Sequence, residues 1–199
     1  MNLPNKITLV RIFMIPIFVA VFFLDGILPY NYIISGVIFA LAACTDFIDG
    51  YIARKYNLVT NLGKFLDPIA DKVLVSTAMM LLLTLQGGLF FAFGKLGNVL
   101  YIATAVCVCI IMARELIISA FRQIAATSGL VMAADMLGKY KTTFQDISIF
   151  ILIIAADLTG KVQSIVGWIG LGLFAVATIL TIWSGISYVV KNKQVLKSK

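Results

Sequence analysis

Long apolar stretches, each of helix length, follow one another along the whole of this 199-residue chain. Short connections with glycine, proline or asparagine separate them, and the predicted spans are residues 7–24, 31–54, 67–85, 97–127, 141–158 and 164–190. About 20 apolar residues in a helix match the hydrocarbon core of a bilayer, whereas a membrane β-barrel needs alternating strands of about ten residues. The sequence therefore predicts an all-α, polytopic membrane protein with six transmembrane helices.

The composition argues against a soluble domain of this size. Hydrophobic residues make up 61% of the chain and charged residues 13%, and the mean hydropathy is +1.04, whereas soluble domains are about half apolar. Short connections and the lack of an internal repeat indicate a single membrane domain over residues 1–199. The Phe-rich connection 89–93 is interpreted as an aromatic belt at a membrane surface.

Positive charge is distributed unevenly between the two ends of the predicted bundle. Of the sixteen lysines and arginines, only Lys95 and Lys161 fall on the side opposite to the termini. Because positively charged loops remain in the cytoplasm, both termini are expected there (N-in/C-in). The basic tail 189–199 is interpreted as an anchor for anionic membrane lipids rather than a nucleic-acid site. Asp25 and Asp157 lie on the outer side and receive no role.

Four aspartates within or beside the apolar spans are the most unusual feature. Asp46 and Asp49 lie near the end of the second span, and Asp67 and Asp71 lie at the start of the third. Helical residues turn by about 100° each, so each pair shares a helix face, and the short connection allows the two faces to meet. Pro68 is expected in the first turn of its helix, where its missing N–H costs little.

Carboxylates inside the cytoplasmic part of a bilayer, where these spans place them, are costly unless they are paired or hydrated. A divalent cation would offset that cost. Oxygen ligands in a chain without histidine favour Mg²⁺ or Mn²⁺. Ion pairs with Arg54, Lys64 and Lys72 are the purely structural alternative. Gly50 and Gly63 remove side chains beside the carboxylates, as close approach by a bulky ligand requires.

The spacing of these residues resembles a family signature. In this numbering it is Asp46-x2-Asp49-Gly50-x2-Ala53-Arg54-x8-Gly63-x3-Asp67-x3-Asp71. All eight fixed positions match the signature of the CDP-alcohol phosphatidyltransferases. The resemblance implies a CDP-linked lipid substrate, one or two metal ions among the four aspartates, Asp71 as the base for the acceptor hydroxyl, and a homodimer. It also implies a CDP-lipid site formed by Asp46, Asp49, Gly50, Ala53, Arg54, Gly63 and Asp67.

Residues 2–18, 113–126 and 138–146 resemble a bacterial branch of that family whose acceptor is sn-glycerol 3-phosphate. This resemblance implies transfer of the phosphatidyl group from CDP-diacylglycerol to glycerol 3-phosphate, with phosphatidylglycerophosphate and CMP as products. It also implies a bacterial inner or plasma membrane location, with the active site facing the cytoplasm.

A phosphorylated acceptor requires cations near the carboxylates. The candidates for binding its phosphate are Arg114, Arg122, Lys139, Lys141 and Thr8. Arg114 lies too deep in its span for a surface charge, so a phosphate contact is favoured, with Glu115 as its partner or as a group that orients the acceptor. For Arg122 and Lys139, snorkelling to the membrane interface is as favoured as a phosphate contact. For Thr8 and Arg11, a capping or interfacial role is as favoured as contact with the substrate.

Two alternatives stay open at this stage. The same chemistry applies to another acceptor, such as phosphatidylglycerol, inositol phosphate or serine. A divalent-cation transporter would use the same carboxylates, although transporters often show repeated halves and sites near the midplane, neither of which is found in this sequence.

Overall fold

The computed structural model describes residues 2–56, 60–127 and 136–191. These residues form six long α-helices and contain no strand. The helices are α1 (Leu3–Phe22), α2 (Asn31–Lys55), α3 (Asn61–Leu82), α4 (Gly97–Thr127), α5 (Met136–Ala155) and α6 (Gly160–Lys191). Two 3₁₀ segments, Leu83–Gly87 and Phe91–Leu96, connect α3 to α4. The predicted all-α class is confirmed.

Five stretches of the described residues are long and apolar enough to cross a bilayer. They are Leu3–Phe22, Asn31–Ile52, Phe65–Gly87, Phe91–Gln123 and Gly160–Lys191. The predicted span 141–158 corresponds to α5, which does not belong to this set although it is 20 residues long. Lys139 and Lys141 lie in its first half and Asp146 near its middle, and these three charges lower its hydropathy. One face of its second half is buried against α2 and α6, namely Ser148, Ile149, Leu152, Ile153 and Ala155.

The buried face of α1 shows how the bundle divides into a polar and an apolar end. Its buried residues recur every three or four positions: Pro4, Asn5, Thr8, Arg11, Ile15, Phe18 and Phe22. This is the stripe by which a helix packs on a core, but its first part is polar and its second part is aliphatic and aromatic. The polar part of α1 packs on the end of α2 and the start of α3, where the four aspartates lie.

Aromatic packing and two side-chain caps hold the apolar end together. The ring centroids of Phe18 and Phe39 are 5.8 Å apart. Asn31 Nδ2 donates to the Phe22 carbonyl at the end of α1 over 2.8 Å, and the Asp157 carboxylate accepts from the Ile33 N–H over 2.6 Å. Both contacts satisfy backbone groups that a helix terminus leaves unpaired. Asp157, which received no role from the sequence, therefore caps α2.

The Phe-rich connection differs from the predicted aromatic belt. Leu89 is 0% exposed and Phe90 is 1% exposed, and only Phe91 faces outward. Phe90 packs edge-on against Tyr101. A Cβ at Gly97 would lie 2.1 Å from the Phe90 carbonyl oxygen, so the turn into α4 needs a glycine there. Because this connection folds back onto the helix ends, its residues are mostly core.

Helix α3 begins six residues earlier than predicted. The Thr60 hydroxyl accepts from the Gly63 N–H over 3.0 Å and caps the helix before Asn61. Pro68 therefore lies inside α3, and the expectation of a first-turn position was wrong.

Candidate active site

Three of the four aspartates surround two side chains of α1. The fully buried Arg11 donates from Nη1 to Asp46 Oδ1 over 2.8 Å and from Nη2 to Asp49 Oδ2 over 2.5 Å. Its Nε donates to Thr45 Oγ1 over 3.0 Å. All three partners lie near the end of α2, so one guanidinium fixes the orientation of both carboxylates.

Thr8, one turn before Arg11 on the same face, joins this group to α3. Its hydroxyl lies 2.6 Å from Asp67 Oδ1 and 3.3 Å from Asp49 Oδ2. A hydroxyl has one proton to donate, and the shorter contact favours Asp67. The side chain is 1% exposed. We call Asp46, Asp49 and Asp67, with Thr8 and Arg11, the carboxylate cluster.

The carboxylate cluster is open on one side. Asp49 is 2% exposed, whereas Asp46 is 48% exposed. Arg11 donates to one oxygen of Asp46, and Thr8 donates to one oxygen of Asp67. No described residue donates to the second oxygen of either carboxylate. Within the described ranges, no three carboxylates or cysteines already stand at metal-binding distances. The sequence predicted that all four aspartates converge; the structure groups Asp46, Asp49 and Asp67 around Arg11 and Thr8 and leaves Asp71 outside this group.

Asp71, one turn after Asp67, faces a cavity of about 740 Å³ that we call the outer cavity. Asp71 is also close enough to Asp46 for their charges to interact. The basic side chains that line the outer cavity are Lys72, Arg114, Arg122, Lys139 and Lys141. Glu115 and Asp71 are its carboxylates, so cations outnumber anions five to two. The structure therefore brings together four of the five residues predicted for an acceptor phosphate, while Thr8 lies in the carboxylate cluster.

Helix α6 holds the two arginines of α4. Arg114 Nη2 donates to the Ser184 hydroxyl over 2.8 Å, and a Cβ at Gly185 would lie 3.0 Å from Arg114 Cγ. Arg122 Nε donates to the Tyr188 hydroxyl over 3.2 Å, with the guanidinium 5.3 Å from the ring centroid. These contacts keep both guanidinium groups at the cavity wall, with donors still available for a ligand.

Glu115 links the cations of two helices. Its Oε1 accepts from Arg114 Nη1 over 3.2 Å and also from Lys141 Nζ. Lys141 is 4% exposed, so a buried ammonium here requires that partner. Lys72 Nζ contacts the Ser119 hydroxyl, which donates to the Glu115 carbonyl over 2.6 Å. The sequence left two roles open for Glu115, a pairing with Arg114 or orientation of the acceptor, and the structure shows the contact with Arg114.

Known proteins of one family are similar to this chain over nearly its whole length. The family model described as CDP-alcohol phosphatidyltransferase matches residues 1–183. The chain belongs to the CDP-alcohol phosphatidyltransferase family. It is similar to the CDP-diacylglycerol--glycerol-3-phosphate 3-phosphatidyltransferase of Bacillus subtilis (strain 168), with 39% identity over 99% of this chain and 98% of that protein. Proteins of the same name from Rickettsia typhi and Salmonella paratyphi A are 39% and 38% identical over 94% of this chain, covering 94% and 92% of their own lengths.

The family signature lies at the polar ends of α2 and α3. Gly50 is half-buried in α2 and Gly63 is buried in α3. A Cβ at Gly63 would lie 2.8 Å from Asn5 Oδ1, so the close neighbour expected for that glycine is α1 itself. The side chains of Ala53 and Arg54, and also of Lys64, lie outside the described part, as does the tail 192–199.

Several residues of this family member's site were not assigned from the sequence. Arg11 was expected either to contact the substrate or to lie at the interface, not to hold two aspartates, and Lys72 was expected only as an ion-pair partner. Ser184 and Tyr188 gave no signal, because both are common in apolar helices and act only through contacts with α4. The (i, i+3) spacing of Thr8 and Arg11 was the one available hint.

Proposed function

We propose that the protein transfers the phosphatidyl group of CDP-diacylglycerol to the 1-hydroxyl of sn-glycerol 3-phosphate, forming phosphatidylglycerophosphate and CMP. The observation that carries this proposal is the position of Asp71, between the carboxylate cluster and a cavity lined by five cations. A reactive hydroxyl and a phosphate in one acceptor would use both features at once. The names of the similar proteins point to the same pair of substrates.

We also propose that Asp46, Asp49, Asp67 and Asp71 hold one or two Mg²⁺ or Mn²⁺ ions. The donor set consists of carboxylate oxygens alone, which these cations prefer. Thr8 and Arg11 occupy only part of that set, and such contacts orient ligands for a metal. When bound, the metal would neutralise negative charge that develops on the phosphoryl oxygens.

The rest of the chemistry falls to the side chains of the chain. Within the described residues, no hydrogen bond or ion pair holds the Asp71 carboxylate, so it is available as a general base. It takes the proton of the 1-hydroxyl as that oxygen attacks the lipid-side phosphorus. The bond from this phosphorus to the bridging oxygen breaks, and CMP leaves with that oxygen. The cytidine end of the donor lies near Gly50, Ala53, Arg54 and Gly63.

Arg114, Arg122, Lys139 and Lys141 bind the phosphate of the acceptor. Ser184 and Tyr188 hold the two arginines from α6, so their guanidinium groups are preorganised for a dianion. Lys72, which lines the same cavity, adds a fifth charge. A phosphate held there places the other end of a three-carbon acceptor toward Asp71.

The membrane arrangement is part of the proposal. Helices α1 to α6 would all span, with the polar end of the bundle, and hence the active site, at the cytoplasmic face of the cell membrane. The large apolar side chains that α6 exposes, such as Ile179, Trp183 and Ile186, would contact lipid or a second copy in a homodimer. Acyl chains of the donor would then remain in the bilayer throughout the reaction.

Detergent-purified protein with CDP-diacylglycerol and each acceptor in turn tests the proposed reaction. With Mg²⁺ or Mn²⁺ we expect CMP and phosphatidylglycerophosphate in equal amounts from glycerol 3-phosphate, with the product identified by mass. Inositol phosphate, serine and phosphatidylglycerol should release no CMP, and EDTA should stop the reaction. CMP release with one of those acceptors instead of glycerol 3-phosphate would contradict the acceptor assignment. Mn²⁺ uptake into sealed vesicles without lipid substrate would favour a transporter.

A further inference from the structure

A second cavity, of about 90 Å³, lies next to the outer cavity and is called the inner cavity here. The two share Asp71, Lys72, Glu115, Lys141 and Thr142. The inner cavity continues toward the apolar end of the bundle, along residues 75–79 of α3 and 145–146 of α5. A water molecule in a liquid occupies about 30 Å³, so the space admits a short polyol arm but not a nucleotide.

Gln145 lines the inner cavity and has an unsatisfied amide. The residue is 3% exposed, and its Oε1 is buried without a hydrogen-bond partner in the described residues. Its Nε2 donates only to the Met79 sulfur, over 3.7 Å, and a thioether is a weak acceptor. Buried amide oxygens in proteins are nearly always paired, so this one requires a donor that the described residues do not supply.

The inner cavity presents acceptors where the outer cavity presents cations. Beside Gln145 Oε1 stand the carboxylates of Asp71 and Asp146, whose charges interact with each other. Both ammonium groups that the two cavities share are engaged by protein groups: Lys141 by Glu115 and Lys72 by the Ser119 hydroxyl. Such an environment disfavours a phosphate and favours a neutral group with hydroxyl donors. Glycerol 3-phosphate has a charged phosphate at one end and neutral hydroxyl groups at the other.

We infer that the inner cavity binds the hydroxyl end of the acceptor, and that Gln145 Oε1 accepts a hydrogen bond from its secondary 2-hydroxyl. This inference rests on the proposed function. The phosphate lies among the cations of the outer cavity, the 1-hydroxyl lies at Asp71, and the 2-hydroxyl points to Gln145. Gln145 is therefore a specificity residue, which selects acceptors with a hydroxyl at the central carbon.

Two acceptor analogues isolate this contact. 3-Hydroxypropyl phosphate keeps the phosphate and the primary hydroxyl but lacks the 2-hydroxyl. Dihydroxyacetone phosphate replaces the 2-hydroxyl with a carbonyl, which has no proton to donate. Wild-type protein should prefer glycerol 3-phosphate over both, by about tenfold or more in kcat/KM, because the analogues leave the amide oxygen unpaired.

The variant Gln145→Met removes the amide while conserving volume. We expect its kcat/KM for glycerol 3-phosphate to fall about tenfold or more, to the level of 3-hydroxypropyl phosphate, which should change little. The midpoint of thermal unfolding in detergent should be unchanged or higher, since the one described partner of the lost amide is the Met79 sulfur, a weak acceptor that can remain unpaired at little cost. Gln86→Met makes the same change at an exposed position at the other end of the bundle and should keep the wild-type preference.

The outcomes separate the inference from the proposed function. If wild-type protein makes no product from glycerol 3-phosphate, the proposed function fails and the inference fails with it. If wild-type protein makes the product but Gln145→Met prefers glycerol 3-phosphate over 3-hydroxypropyl phosphate as strongly as wild type does, only the inference is overturned. The inner cavity then holds water. Loss of preference in Gln145→Met with retained thermal stability supports the inference.

Discussion

Substitution of Arg11 by methionine tests how the carboxylate cluster is held together. Arg11 is fully buried and pairs with Asp46 and Asp49. Removing one partner of a buried ion pair costs about 3–5 kcal/mol, whereas an exposed pair contributes about 0–1 kcal/mol. Since Asp49 is 2% exposed and Asp46 is 48% exposed, nearly all of the cost should come from Asp49. We expect Arg11→Met to lower the free energy of unfolding by about 3–5 kcal/mol.

Thermal unfolding in detergent, first with EDTA and then with Mn²⁺, measures this effect. For a chain of this length each kcal/mol corresponds to about 2–4 °C, so the midpoint in EDTA should fall by roughly 6–20 °C. Mn²⁺ should raise the midpoint more in Arg11→Met than in wild type, because a bound cation replaces the lost charge. Lys161→Met, at an exposed position of the opposite end, should change the midpoint by less than about 2 °C. An unfolding midpoint of Arg11→Met equal to that of the wild type in EDTA would refute the reasoning.

Three further substitutions test other parts of the structure. Asp71→Asn should lower kcat about 10²–10⁴-fold with an unchanged unfolding midpoint; activity assays near the wild-type rate would exclude Asp71 as the base. Gly185→Ala places a methyl group 3.0 Å from Arg114 Cγ and should raise KM for glycerol 3-phosphate about tenfold while leaving KM for CDP-diacylglycerol unchanged; equal changes in both constants would contradict a role confined to the acceptor. Asp157→Ala removes the acceptor of the Ile33 N–H and should cost about 0.5–2 kcal/mol in thermal unfolding, with kcat/KM unchanged.

Much of the fold was accessible from the sequence because local pattern determines it. Apolar runs gave six helices, and the fourth predicted span matches α4 at both ends. Helix starts were less predictable, since the Thr60 cap of α3 lies in a polar stretch that resembles a loop. The buried Phe90 could not be distinguished from a lipid-facing aromatic residue, because hydropathy does not record which side of a segment packs inward.

The sequence located residues of the candidate site where one helix face carries several charges. The spacing of the aspartates in α2 and α3 located them, and the cations of α4 and α5 were expected beside them. Contacts between helices that are distant in sequence could not be predicted: Arg11 and Asp46 are 35 residues apart, and Arg114 and Ser184 are 70 residues apart. Such pairs are set by tertiary packing, which one sequence does not record.

Cation binding by the aspartates of α2 and α3 is tested most directly by titrating metal-free protein with Mn²⁺ and counting bound ions by electron paramagnetic resonance. Wild-type protein should bind one or two ions, and Asp67→Asn should bind fewer or bind far more weakly. Asp25→Asn, at an exposed position of the other end, should bind as wild type does. Equal Mn²⁺ binding by wild-type protein and Asp67→Asn, or none by wild-type protein, would contradict a metal site in the carboxylate cluster.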